Sequence, residues 1–412
     1  MEAFMNYLWS PLFSVVIVAG VYSLGERVTA ATKGLISGMM VAACLFISGY
    51  VSGILPRPNA AIGFLGVPMN TNLGLVVNAF GTLLIITHLG TVIKFKELVA
   101  EWKTVVICLA GFVGILALCM TVGVALFGKL QAYTSVAPIA GGIVAATITA
   151  DAARAAGYPE MAAFAFLVMS FQGLIGMPIA SFFLKRECDL RIKNGDHMTK
   201  KSVDTEGGDV KAKLFKPLNP SVNTWIVKIF KLALVAWVGS TFSWALTTFF
   251  SFTLFSAAVS VLFFGILFHE IGFLDDDILN KAGCFNLLML GLYHLGPSNY
   301  SSLDFNQVVQ LLAPLVGLLL LGATGIIILS FAASKVLKVP ANLAIACGLA
   351  AMFGFPGTLI LTTDAVKGTG LPEDQRQNLM DQLLPKMIVA GFTTVTIASV
   401  IFAGILAPMI YV

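Results

Sequence analysis

Long apolar runs separated by short polar breaks set the pattern of this chain. Runs near residues 9–25, 34–55, 74–93, 104–128 and 161–184 fill its first half. Runs near 225–249, 252–274, 280–297, 308–333 and 382–411 fill its second. About 17–25 predominantly apolar residues suffice to cross a bilayer as a helix, so each run is expected to be a transmembrane α-helix. Two further apolar segments, 131–157 and 340–370, are interrupted, the first by Ala140-Gly141-Gly142 and the second by Phe353-Gly354-Phe355-Pro356-Gly357. Between the halves, Lys185 to Thr224 is polar and carries Gly195, Gly207, Gly208, Pro217 and Pro220, which suits a linker.

The halves repeat one another. Ile148-Thr-Ala-Asp151-Ala-Ala-Arg154-Ala-Ala-Gly157-Tyr-Pro159-Glu160 is matched 213 residues later by Leu361-Thr-Thr-Asp364-Ala-Val-Lys367-Gly-Thr-Gly370-Leu-Pro372-Glu373. His88-Leu89-Gly90 recurs as His294-Leu295-Gly296 after 206 residues. Gly173 with Ile179-Ala180-Ser181 recurs as Gly391 with Ile397-Ala398-Ser399 after 218. A slowly drifting offset marks one duplicated unit with small insertions. The expected plan is a first repeat at 1–184 with its broken segment at 131–157, a linker at 185–224, and a second repeat at 225–412 with its broken segment at 340–370.

Composition agrees with a membrane setting: only 11% of the residues are charged, against about a quarter in soluble domains. The net charge of +4 reflects cations gathered in loops and does not indicate nucleic-acid binding. Cys44, Cys108, Cys119, Cys188, Cys284 and Cys347 show no CxxC spacing and read as small buried hydrophobes. No cleavable leader is expected, because the first apolar run lacks a basic segment before it.

Charge also orients the chain. If both broken segments dip into the membrane and return, one face holds 22 of the Lys and Arg residues and the other holds 3. If both cross, the split becomes 16 against 9. The positive-inside rule favours the re-entrant arrangement, with both termini outside and the central loop cytoplasmic. Five crossings per repeat then invert the second repeat relative to the first, the plan of many secondary transporters. The expected fold is all-α and polytopic: two inverted repeats of five transmembrane helices, each with one re-entrant hairpin.

Irregular backbone at membrane depth persists only where protein buries it or a cavity borders it. Half-helix N-termini offer N–H donors and a positive dipole end to an anion. Freed carbonyls and hydroxyls suit a hard cation such as Na⁺. The candidate substrate-binding residues are therefore Gly141, Gly142, Thr147, Gly354, Phe355, Pro356, Gly357 and Thr358. The ion-coupling candidates are Thr149, Asp151, Thr362, Thr363, Asp364, Gln172, Thr393 and Thr394. Each has an alternative reading. The alternative for the glycines is close helix packing. Asp151 with Arg154, and Asp364 with Lys367, are spaced to pair on one helical turn. Gln172, Thr393 and Thr394 either line a cavity or hydrogen-bond a neighbouring helix. His88 and His294 are interfacial anchors or proton carriers, and Asn70, Asn72 and Asn78 are weaker candidates. Gly34 and Gly38 form a GxxxG, a pointer to a dimer.

Ala140-Gly141-Gly142, Gly173-Leu-Ile-Gly176-Met-Pro178-Ile-Ala180, Phe353-Gly354-Phe355-Pro356-Gly357-Thr358 and Pro385-Lys-Met387 leading into Gly391-Phe392 carry a resemblance. The chain is similar to the bacterial sodium/glutamate symporter family, within the larger group of two-hairpin carboxylate carriers that includes the 2-hydroxycarboxylate transporters. That resemblance implies sodium-coupled uptake of a carboxylate or amino acid such as glutamate across a bacterial inner membrane. It also implies a homodimer in which a part carrying both hairpins moves elevator-fashion, with Na⁺ as coupling ion and no other cofactor. The chain departs from the family at Ile143-Val144-Ala145-Ala146, where members continue with Gly and polar residues, so its first tip is more apolar. Proton coupling and, further off, a channel are the alternatives. No enzyme is expected: His269-Glu270 does not continue as HExxH, and neither GxSxG nor paired metal ligands occur.

Overall fold

Apolar chain in lipid has no water to satisfy its backbone, so it must hydrogen-bond to itself locally. The computed structural model follows that rule. It describes residues 11–32, 36–55, 72–92, 100–195, 198, 214–215, 218–219, 222–250, 257–392, 394 and 398–410, and among these no strand forms. The helices are α1 Pro11–Ala31, α2 Gly38–Val51, α3 Asn72–Val92, α4 Trp102–Phe127 with a π-turn at Cys119–Gly123, α5 Lys129–Ile139, α6 Ile143–Ala155 and α7 Pro159–Asn194. After the linker come α8 Trp225–Phe250, α9 Ala257–Glu270, α10 Ile278–Lys281, α11 Phe285–Tyr293, α12 Leu295–Tyr300 and α13 Phe305–Leu337. They are followed by α14 Ala341–Leu349, α15 Gly354–Lys367, α16 Glu373–Phe392 and α17 Ser399–Ile410. Five segments, Leu12–Ala31, Trp102–Phe127, Pro159–Asn194, Trp225–Phe249 and Phe305–Leu337, are long and apolar enough to cross a bilayer. This is an all-helical membrane protein.

Local sequence sets several boundaries. Asp304 accepts from the Gln307 amide at 2.8 Å while the Gln307 side chain accepts from the Asp304 amide at 2.9 Å, a capping box that starts α13. Pro159 opens α7, where its missing N–H costs nothing. Helix α7 runs to Asn194, nine residues beyond the expected start of the linker at 185. The Glu187–Arg191 pair (2.9 Å) and the Arg191 bond to Gln382 (2.6 Å) carry the helix on, until Gly195 ends it at φ 79°. The span expected near 280–297 is instead three short helices. Pro297 cannot donate to the Tyr293 carbonyl, and Tyr22 Oη donates to that carbonyl at 3.3 Å. The last expected span, 382–411, is likewise divided between α16 and α17.

At the centre, α4 and α13 pack closely along their length. Their backbones approach at Gly114 and Gly325, where a Cβ on either would strike the other's carbonyl. Ser330 and Ile326 on α13 pack against Gly111 on one side and Gly348 of α14 on the other. Helix α3 packs against α9 and α11, with Gly81 meeting Leu288 and Gly291 meeting Val77. Gly38 lies against the backbone of Gly25. That residue is spent on packing α2 to α1 within the chain, and it lends no support to the expected dimer contact. Gly34 lies outside the described residues.

The two broken segments pack around α7. Gly128 (φ 89°) turns the chain so that α5 runs back along α4, with Ala132 near Gly123. Ile139 then reaches Gly322 on α13. From the break, α6 runs to Arg154, which donates to Asn299 Oδ1 of α12, and Ser302 bonds the Pro159 carbonyl that follows. Both ends of this first unit thus lie toward the N-terminal half of α13. The second unit starts directly after the C-terminal end of α13. Its break abuts Gly176 of α7, and α15 ends beside Lys185.

Candidate functional site

Both breaks open onto one cavity. A space of about 430 Å³ is lined by Gly142, Ile143 and Val144 of the first break and by Met352, Phe353 and Gly357 of the second. Helix α7 supplies Met169, Gln172, Gly173 and Met177. These, with Gly176 behind them, fall at the three- and four-residue spacing of a single helix face. Helices α3 and α11 close the far side with Ile85, Leu89, Phe285, Met289 and Tyr293. No Lys, Arg, Asp or Glu is among these lining residues. The walls are methionine and aromatic surface, adaptable and apolar.

Polar groups are few: the side chains of Thr29, Ser37, Gln172 and Tyr293, and the backbone groups at the breaks. Gly142 enters α6 in an extended conformation (φ −86°, ψ −164°) and no side chain caps the helix, so the amides of its first turn lack intrahelical partners. Helix α15 likewise begins without a side-chain cap, after Phe353 and with Gly354 at φ 58°. Gln172 is only 7% exposed. Its Nε2 donates to the Gly141 carbonyl at 2.8 Å, which satisfies the break, while its Oε1 is buried with no partner. The Thr358 hydroxyl is also buried and unpartnered.

The remaining sequence candidates divide into three groups. Thr147, Thr149, Thr362 and Thr394 are buried and each donates back to the carbonyl four residues earlier, at 2.7, 3.0, 2.7 and 2.8 Å. Their protons are spent on their own helices, and none lines the cavity. Asp151 lies elsewhere, in a separate cavity of about 340 Å³ with Asn78 and Thr82. It pairs there with Arg154 (2.8 Å) and accepts from Asn78 (2.8 Å). Asp364 lines two spaces that adjoin the central one through shared residues. One, about 520 Å³, holds Tyr22 and Glu26; the other, about 430 Å³, holds Lys185. Gly141 and Gly354 sit at the breaks behind the lining, and Thr363 is half-buried on α15. Thr393 and Asn70 lie outside the described residues, as do the side chains of Phe355, Pro356 and Asn72.

Sequence reasoning missed the methionines, Phe285, Phe353 and Tyr293, because apolar residues in an apolar chain carry no signal of their own. The α7 face was readable: Gln172 between Met169 and Met177 stands on the same stripe as Gly173 and Gly176. Asn299, which anchors Arg154, had no signal. Among the described residues no cluster of three His, Cys, Asp or Glu poised for a metal ion forms. No protein-family model matches the chain, and no curated protein matches it either.

Proposed function

We propose that this chain is a secondary active transporter built from two inverted repeats, each with a re-entrant unit, carrying a carboxylate or amino acid such as glutamate with sodium as coupling ion. The observation that carries the proposal is the single cavity onto which two uncapped helix N-termini, Gly142–Ile143 and Phe353–Gly357, both open. Two positive dipole ends facing one apolar space suit an anion taken out of water. Inversion is supported by where equivalent residues meet. Gly114 and Gly325 are 211 residues apart and Gly81 and Leu288 are 207 apart, within the offsets of the repeated motifs, and each pair is in contact. Contact between equivalent points is what a two-fold relation between the halves produces. The buried Thr358 hydroxyl and the carbonyls freed at the breaks are the groups offered to Na⁺.

In this reading the termini are outside, the central loop is cytoplasmic, and the molecule works as a homodimer in a bacterial inner membrane. Uptake into proteoliposomes of a panel of labelled amino acids and di- and tricarboxylates, with and without a sodium gradient, tests it. The expected result is saturable accumulation driven by inward sodium. Accumulation driven only by a proton gradient would transfer coupling to Asp364 or Asp151. Equilibration without accumulation would make the protein a channel.

A further inference from the structure

The central cavity limits its occupant more narrowly than the word carboxylate does. Gln172 Nε2 is fixed on the Gly141 carbonyl, two residues before the first amide of α6. Its Oε1, one carbonyl group away, is 93% buried with its residue, without a partner, on a side chain that lines the cavity. A buried acceptor of this kind asks for an N–H or O–H donor from whatever fills the space. The uncapped amides of Ile143 and Val144 beside it ask for an acceptor, best an anion. Because the Gly141 carbonyl that holds Gln172 lies two residues before the first amide of α6, the acceptor and the donors belong to the same end of the cavity, which suits a molecule whose anion and ammonium are separated by one carbon. Beyond these two sites the lining is mostly apolar, with Met169, Met177, Met289, Met352, Phe285 and Phe353 beside the hydroxyls of Thr29, Ser37 and Tyr293, and it has no cation to meet a second carboxylate.

We infer that the substrate is an apolar L-α-amino acid, its carboxylate on the first-turn amides of α6, its ammonium on Gln172 Oε1, and its side chain among the methionines and phenylalanines. This rests on the carrier reading for its place in transport, and it replaces glutamate within that reading. A glutamate side chain would bury an unpaired charge against thioethers and rings. The cavity of about 430 Å³ has room for leucine, methionine or phenylalanine.

Equilibrium binding of labelled L-leucine to the purified full-length protein tests the assignment, with unlabelled competitors. L-Methionine and L-phenylalanine are expected to compete about as well as leucine. L-Glutamate, 4-methylpentanoate (leucine without its amino group) and isopentylamine (leucine without its carboxylate) are each expected to be weaker by about tenfold or more, since each loses a charge-assisted bond or strands a charge. Gln172→Leu removes both the bond to the Gly141 carbonyl and the acceptor for the ammonium, so it is expected to weaken both ligands but leucine by about tenfold or more beyond 4-methylpentanoate; an equal loss for the two would overturn the assignment of the ammonium to Gln172. Tighter binding of glutamate than of leucine, or 4-methylpentanoate binding as well as leucine, overturns the inference. So does absence of leucine binding. The carrier reading fails separately: leucine that binds but is never accumulated in proteoliposomes removes transport and keeps the ligand, whereas accumulation of a dicarboxylate without leucine does the reverse.

Discussion

Asp151 and Asp364 hold equivalent places in the repeated motif yet keep different company. Asp151 shares Arg154 with Asn299 and receives a bond from Asn78, whose own carbonyl accepts from Thr82 at 2.5 Å. That chain ties α6 to α3 and α12, which is the work of a structural pair. Because the Asp151 and Arg154 side chains are 42% and 32% exposed, a double-mutant cycle of Asp151→Asn and Arg154→Ala should give a coupling of only about 0.5–1 kcal/mol in detergent unfolding. Asp364 has no such ion pair among the described residues, and its partner in sequence, Lys367, is exposed. Asp364→Asn is expected to lower uptake while leaving Tm within about 1–2 °C, as surface-type substitutions do; a fall in Tm with uptake retained would assign it a structural role instead. At Gly357 a side chain would enter the cavity beside Phe353 and Met177. Gly357→Trp should therefore abolish uptake without loss of expression. The glycines and Gln172 were visible in the sequence because they break an apolar pattern. Met352 and Phe353 continue that pattern and gained meaning only once α7 was seen facing them.

Helix pairs decide stability here through small residues. Lipid offers no hydrophobic gain for bringing helices together, so close approach and van der Waals packing must do it. The α4–α13 contact at Gly114 and Gly325 uses that rule with backbone against backbone. Gly114→Val should cost about 1–3 kcal/mol or more by overpacking, seen as a lowered thermal midpoint in detergent. Gly20→Ala, with nothing near its Cβ, should leave the midpoint unchanged. Hydropathy located the long helices well because length and apolar content alone define them. It failed at 280–297, where the average is apolar but Pro297 and the turn at Gly283 divide the backbone. It also placed the end of α7 too early, since the Glu187–Arg191 and Arg191–Gln382 bonds that prolong it are tertiary facts.

For the whole molecule, the claim is that two helix–break–helix units approach α7 from opposite ends and share one cavity between their bends. The transport proposed above needs that arrangement, because alternating access requires a site at mid-depth that is reached from either end. The proposed repeat rests on motifs that recur in order in the sequence; the cavity was not legible there, because it is assembled from seven separate helices and two breaks. Side-specific labelling tests the claim most directly. In a version free of native cysteines, Lys129→Cys and Tyr158→Cys mark the two ends of the first unit. Lys338→Cys and Lys367→Cys mark the ends of the second, and all four parent residues are exposed. A membrane-impermeant maleimide added to intact cells is expected to label both positions of the first pair and neither of the second, with the second pair reacting only in inside-out vesicles. Labelling of Lys129→Cys and Tyr158→Cys from opposite sides would mean that the first unit crosses the membrane, and the account would fail.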